Sequence, residues 1–153
     1  MGMQLEGADE LMVMLRQIGP KATDGIFEQM KVEARSIRDL ARSYAPIDHG
    51  NLEDAIKMQV GGGGRDSRGR FVRKALSVFI DMDAEGYNGE PMSQYAYIMH
   101  EHLTPYGPLN LGKRSAAKNA GSGRVGGRFL ERAADDVSKG IMNRLIDVAK
   151  TYF

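Results

Sequence analysis

The chain has 153 residues, 42% hydrophobic and 27% charged, the proportions of a single globular domain with a core of its own. A formal net charge of +1 excludes a chain that binds polyanions over its whole surface. The absence of cysteine excludes a disulfide scaffold and thiolate chemistry, and no run approaches the ~18 apolar residues of a membrane span. The N-terminal Met1-Gly2-Met3-Gln4-Leu5-Glu6 has neither the basic start nor the apolar run of a signal peptide, so the expectation is a soluble intracellular protein.

Leu11, Met14, Leu15 and Ile18 recur at helical spacing, predicting a helix over 8–18 that stops at Gly19-Pro20. A longer helix is expected from about Thr23 to Tyr44, its apolar stripe formed by Ile26, Met30, Ala34, Ile37, Ala41 and Tyr44. Pro46 disfavours helix at Ala45 and ends that run. Asp48 suits an Asx turn and Gly50 a change of chain direction. Asn51 then caps a short helix with Leu52, Glu53 and Asp54 in its first turn. A short strand follows at 57–60.

The run Gly61-Gly62-Gly63-Gly64-Arg65-Asp66-Ser67-Arg68-Gly69-Arg70 reads as a mobile tip or hairpin loop. Phe71–Met82 reads as the main strand, with Val72, Leu76, Val78 and Ile80 on one face. An acidic turn covers 83–90. The segment 94–102 suits either a helix or a strand, and a short helix is favoured. Residues 103–128 read as a long Gly/Lys/Arg-rich loop, of the kind that is functional or ordered by a partner. A strong helix is expected from Phe129 to about Tyr152 through Leu130, Ala134, Val137, Ile141, Leu145 and Val148. The fold class is α+β: one domain over 1–153, a small antiparallel sheet packed by two long helices, one N-terminal and one C-terminal, with basic arms at about 61–70 and 103–128.

Candidate chemistry is thin. Gly107 to Lys113 approaches a phosphate loop, but Arg114 stands where Ser or Thr should hold Mg²⁺. Gly121, Gly123 and Gly126 match GxGxxG without a feeding strand, which reads as a glycine-rich linker into a helix. Asp81, Asp83 and Glu85 imitate a calcium loop whose twelfth position is Met92 instead of glutamate. His100 and His102 would point apart on a helix and lack a third metal ligand unless His49 folds nearby. No nucleophile turn is present. The expectation is a non-enzyme with no cofactor and no metal.

Charge is more informative. Residues 65–74 carry Arg65, Arg68, Arg70, Arg73 and Lys74 against Asp66 alone. Residues 113–128 carry Lys113, Arg114, Lys118, Arg124 and Arg128 with no acid. Between them lie Asp81, Asp83, Glu85, Glu90 and Glu101. Either basic segment alone reads as a solvated loop. Together with the acidic stretch, they suggest subunits pairing basic arms with acidic edges, and non-specific contact with DNA is a second use for such arms. With Phe71 the one aromatic among residues 65–74 and 113–128, these segments are poorly suited to base stacking.

Several segments resemble the HK97 gp10-like family of tailed-phage morphogenesis proteins, in the family's order and over nearly the whole chain. They are Leu5–Leu11, the long helix ending in Ala45-Pro46-x-Asp48-x-Gly50-Asn51-Leu52, Tyr95–Glu101, Asn110–Ser115, and Gly126-Gly127-Arg128-Phe129-Leu130-Glu131-Arg132-Ala133. His49 stands where the family usually has threonine, and His102-Leu103-Thr104 replaces its Gly-Thr pair after the acid. The resemblance implies a structural neck or tail-completion subunit at the head–tail junction of a virion, assembled in the host cytoplasm and away from membranes. Its partners would be copies of itself in a closed ring, sixfold to match the tail, and the neighbouring neck and tail proteins. The alternatives are a small DNA-binding protein with basic arms and a hydrolytic enzyme.

Overall fold

The structure is a computed structural model that describes Val13 and residues 19–47, 51–70, 72–86, 89–101 and 111–152. The expected helix at 8–18 (Val13 apart), the turn residues Asp48, His49 and Gly50, Phe71, His102 and the segment 103–110 lie outside the described residues. In chain order the elements are α1 (Pro20–Tyr44), α2 (Asn51–Ala55), β1 (Ile56–Gly61), β2 (Ala75–Ile80), α3 (Met92–Glu101), α4 (Lys113–Ser122), α5 (Phe129–Ser138) and α6 (Ile141–Lys150). The class is α+β.

Helix α1 begins earlier than its periodicity suggests. Pro20 lies in its first turn, where the missing N–H costs nothing, and the Gly19 carbonyl accepts the Ala22 amide at 3.1 Å. Gly19-Pro20 therefore starts a helix. At the other end Ala45 is extended (φ −65°, ψ 138°), as a residue before proline should be.

The central helix serves two apolar clusters. In one, Ala41 and Tyr44 join Ala45, Leu52, Ala55, Ile56, Met92, Ala96, Phe129 and Ala133, with Ile37, Leu40, Val78 and Ile80 packed alongside. In the other, Ile26 meets Ile141, Met142, Leu145 and Ala149 of α6. Of the expected stripe, Met30 is 39% exposed, and the acidic Glu33 is buried at 4% instead.

Strands β1 and β2 form a two-stranded antiparallel sheet with Ile56 opposite Ile80, Met58 opposite Val78 and Val60 opposite Leu76. These six residues share one face, because side chains alternate along a strand. Burial fades toward the hairpin tip, from Ile56 at 0% to Val60 at 47% exposure. The second strand is shorter than expected and excludes Val72, because the glycine run redirects the chain. Gly62 has φ +70°, and a Cβ there would lie 1.8 Å from the Arg73 carbonyl oxygen.

Two further expectations are corrected. The supposed loop 103–128 contains a ten-residue helix, α4, whose Ser115 is buried. The C-terminal helix is interrupted at Gly140 (φ +86°), which separates α5 from α6. The buried stripe runs Phe129, Ala133, Val137, Ile141, Leu145 and Ala149 across the break, so Leu130 and Ala134 sit beside the core and not in it.

Candidate functional site

Four segments far apart in sequence meet at the C-terminal end of α1. That end leaves backbone carbonyls without helical partners. Lys118 of α4 donates its ammonium to the carbonyls of Arg42 (2.6 Å) and Ala45 (2.8 Å), and pairs with the Glu53 carboxylate. The buried Ser115 hydroxyl donates to the Ile47 carbonyl (2.6 Å) and accepts the Ile47 amide (2.8 Å). The Gly126 amide donates to the Tyr44 carbonyl at 3.0 Å, and the Arg128 amide to the His100 carbonyl at 2.8 Å. The His100 ring meets Phe129 edge-on, with centroids 5.1 Å apart. Pro46 is fully buried, Leu52 is 2% exposed, and Tyr95 and Leu130 pack against the same cluster. Glu101 is the last residue of α3.

A polar network borders this junction. The Tyr44 hydroxyl donates to Asp136 at 3.0 Å and accepts from Arg124 Nη1 at 2.9 Å, while Arg124 also pairs with Asp136. Arg124 and Arg132 each place a guanidinium about 5.5 Å and 5.4 Å from the Tyr44 ring centre. The Tyr44 hydrogen bond, aided by Lys139 and Arg124, holds the Asp136 carboxyl below its ordinary range. With Asp135, these groups line a cleft of about 210 Å³.

The hairpin tip is organised by one carboxylate. Asp66 accepts the Arg68 and Arg70 amides at 2.9 Å each on Oδ1, and the Arg70 guanidinium at 2.9 Å on Oδ2. These bonds lower its pKa, the Arg70 amide contributing most. Arg65 Nη1 donates to the Gly69 carbonyl at 2.7 Å, and Lys74 reaches back to Asp24 at 2.9 Å while lying over the Phe27 ring.

The two expected basic arms therefore differ. In the first, the Arg68 and Arg73 side chains are exposed and have no partner among the described residues, while Arg65 and Arg70 brace the tip itself. In the second, Lys118 and Arg124 are committed within the fold, and Arg128 pairs with Glu131 at 2.7 Å. Lys113 and Arg114 remain exposed in the first turn of α4. That segment is anchored because α4 brings Lys118 onto the Arg42 and Ala45 carbonyls and the Glu53 carboxylate, and Arg124 beyond it pairs with Asp136. Asn51 is not a cap: it lies inside α2, and its side-chain Nδ2 donates to the Glu85 carbonyl at 3.2 Å.

Sequence reading missed the pairing of Glu33 with Arg144 and of Tyr44 with Asp136. The signal for the first was a lone acid seven residues after Ile26, in line with the apolar stripe of α1. Among the described residues there is no group of three or more His, Asp or Glu side chains arranged to hold a metal, and no helix long and apolar enough to cross a membrane. The chain matches no family model, no characterised protein and no solved structure.

Proposed function

We propose that this chain is a structural subunit of a tailed-phage virion, a neck or tail-completion protein that forms a ring where tail meets head. The observation that carries this reading is the convergence of the family-like segments. Ala45–Leu52, Tyr95–Glu101, the start of α4 and Gly126–Ala133 are spread over about ninety residues of chain, yet they bond to one another around the end of α1. A family signature made of packing and turn residues is what a scaffold requires, whereas an enzyme signature would gather reactive groups. Here the gathered residues are a proline, glycines and apolar side chains, with Ser115 and Lys118 bonded to backbone carbonyls and the His100 ring packed on Phe129.

The scaffold presents the arginine-bearing hairpin of 61–74 to neighbours, with charge as the recognition element. It acts without cofactor or metal, among copies of itself and adjoining neck and tail proteins. In particles, antibody labelling is expected at the head–tail junction. Deleting 61–70 should leave the domain folded and abolish the joining of heads to tails. Infectious particles made with that deletion, or labelling elsewhere in the virion, would sink the reading. Duplex DNA binding by the isolated chain with a steep salt dependence would favour the DNA-binding alternative, for which the exposed Arg68 and Arg73 are the supporting observation.

A further inference from the structure

The β-hairpin is a ribbon with opposite charge at its two ends. At the tip, the guanidinium groups of Arg68 and Arg73 are exposed without partners among the described residues. At the base, where β2 runs into the turn before α3, Asp83, Glu85 and Glu90 are exposed and have no cation partner among the described residues. The cation closest in sequence pairing to that base, Lys57, is engaged by Asp81 at 2.6 Å, and Lys118 is engaged by Glu53. Each end also shows an apolar side chain among its charges: Val72 at the tip (40% exposed) and Met82 at the base (44% exposed).

These ends cannot neutralise each other within one molecule. β2 alone spans roughly 17 Å at about 3.3 Å per residue, and the charges lie beyond both of its ends. Screening at physiological salt acts over ~8 Å, so the intramolecular attraction is lost. The ribbon is tied to α1 at two points, with Arg42 donating to the Ile56 carbonyl at the base (2.9 Å) and Lys74 paired with Asp24 toward the tip. It does not fold back.

We infer that the occupant of the acidic base is the hairpin tip of a second copy of this chain. Arg68 and Arg73 of one copy meet Asp83, Glu85 and Glu90 of the next, with Val72 covering Met82. Two different surfaces meet in this contact, so it repeats in one direction and yields a closed ring or an open filament. The inference deepens the ring reading proposed above by naming the two surfaces that meet, and it is tested without any virion.

The test is a charge swap read by sedimentation velocity on the full chain. In buffer of about 20 mM salt and at about 100 µM protein, the native chain associates, and about 0.5 M salt disperses it. R68E/R73E and D83K/E90K, each alone, weaken association by roughly tenfold or more while circular dichroism and Tm stay unchanged. Mixing the two variants restores assembly, because each then offers an end the other lacks. Placing all four substitutions in one chain restores it as well. A native chain that stays monomeric overturns the inference. So does a single swap without effect, or a mixture and fourfold variant that both fail to assemble. Labelling that finds the chain away from the head–tail junction, beside a successful swap, rejects the neck reading and leaves this contact standing.

Discussion

Arg144 grips Glu33 with two parallel bonds, Nε to Oε1 and Nη2 to Oε2, both at 2.7 Å, across 111 residues of chain. The acid is almost wholly buried (side chain 5% exposed), while the arginine is 43% exposed. Arg144 Nη2 also donates to the Val137 carbonyl at 3.0 Å, so the same side chain ties α1 to the end of α5 and to α6. Gln29 adds a further bond to Glu33 at 2.8 Å.

Replacing Arg144 with methionine strands a buried carboxylate. Breaking a fully buried pair costs about 3–5 kcal/mol, and the solvent exposure of the arginine reduces this to about 2 kcal/mol. Urea unfolding should show that loss in the midpoint with an unchanged slope. A loss below ~0.5 kcal/mol would mean that water replaces the arginine.

The same pair sets an acid limit. The Arg144 hydrogen bonds hold the Glu33 carboxyl below its ordinary value of 4.5, against the opposing effect of burial. A carboxyl with a lowered folded pKa binds its proton more readily when unfolded. Its contribution is therefore complete above about pH 4.5 and is lost as pH falls through the lower folded value. Stability measured from pH 6 to pH 3, in the native chain and in Glu33→Gln, should diverge above that window and converge below it. Parallel curves would refute the assignment.

Lys118→Met removes the cation that satisfies the Arg42 and Ala45 carbonyls while keeping much of the side-chain volume. A loss of about 2 kcal/mol is expected, with faster amide exchange over the last turn of α1. Lys118→Met with full stability would return this lysine to the role of a surface contact.

Gly140→Ala places a Cβ on a residue at φ +86° and 3.2 Å from Arg144 Nη1. The left-handed conformation costs an alanine about 1–2 kcal/mol, so the variant should melt several degrees lower. A raised Tm would mean that α5 and α6 fuse at no cost.

Asp66→Ala should release the hairpin tip while sparing the core. Exchange protection at the Arg68 and Arg70 amides is expected to vanish with Tm unchanged, since the carboxylate bonds both amides and neither cluster contains it. Persistent protection at both amides would show that the glycine geometry alone holds the turn.

The junction at the end of α1 was partly legible in the residues. Pro46 and the glycines announce breaks through their own backbone restrictions, and Leu52 and Phe129 lie on apolar periodicities that any core must bury. The partner of each break was not legible. That Ser115 closes on Ile47, or that Lys118 caps Ala45, depends on where α4 comes to rest, and a lysine in a Gly/Lys/Arg-rich stretch looks the same whether solvated or buried.

Local chemistry, then, determined the α+β class, the long N-terminal helix, the hairpin with its glycine tip and the clustering of charge. Each of these follows from steric preference or side-chain period within a short window. Only the tertiary structure decided which cations are consumed. Arg124 found Tyr44 and Asp136, Arg144 found Glu33, and Arg68 and Arg73 found no partner among the described residues. An ion pair depends on distances of a few ångströms between groups that can lie 111 residues apart, and those distances exist only once the helices have packed.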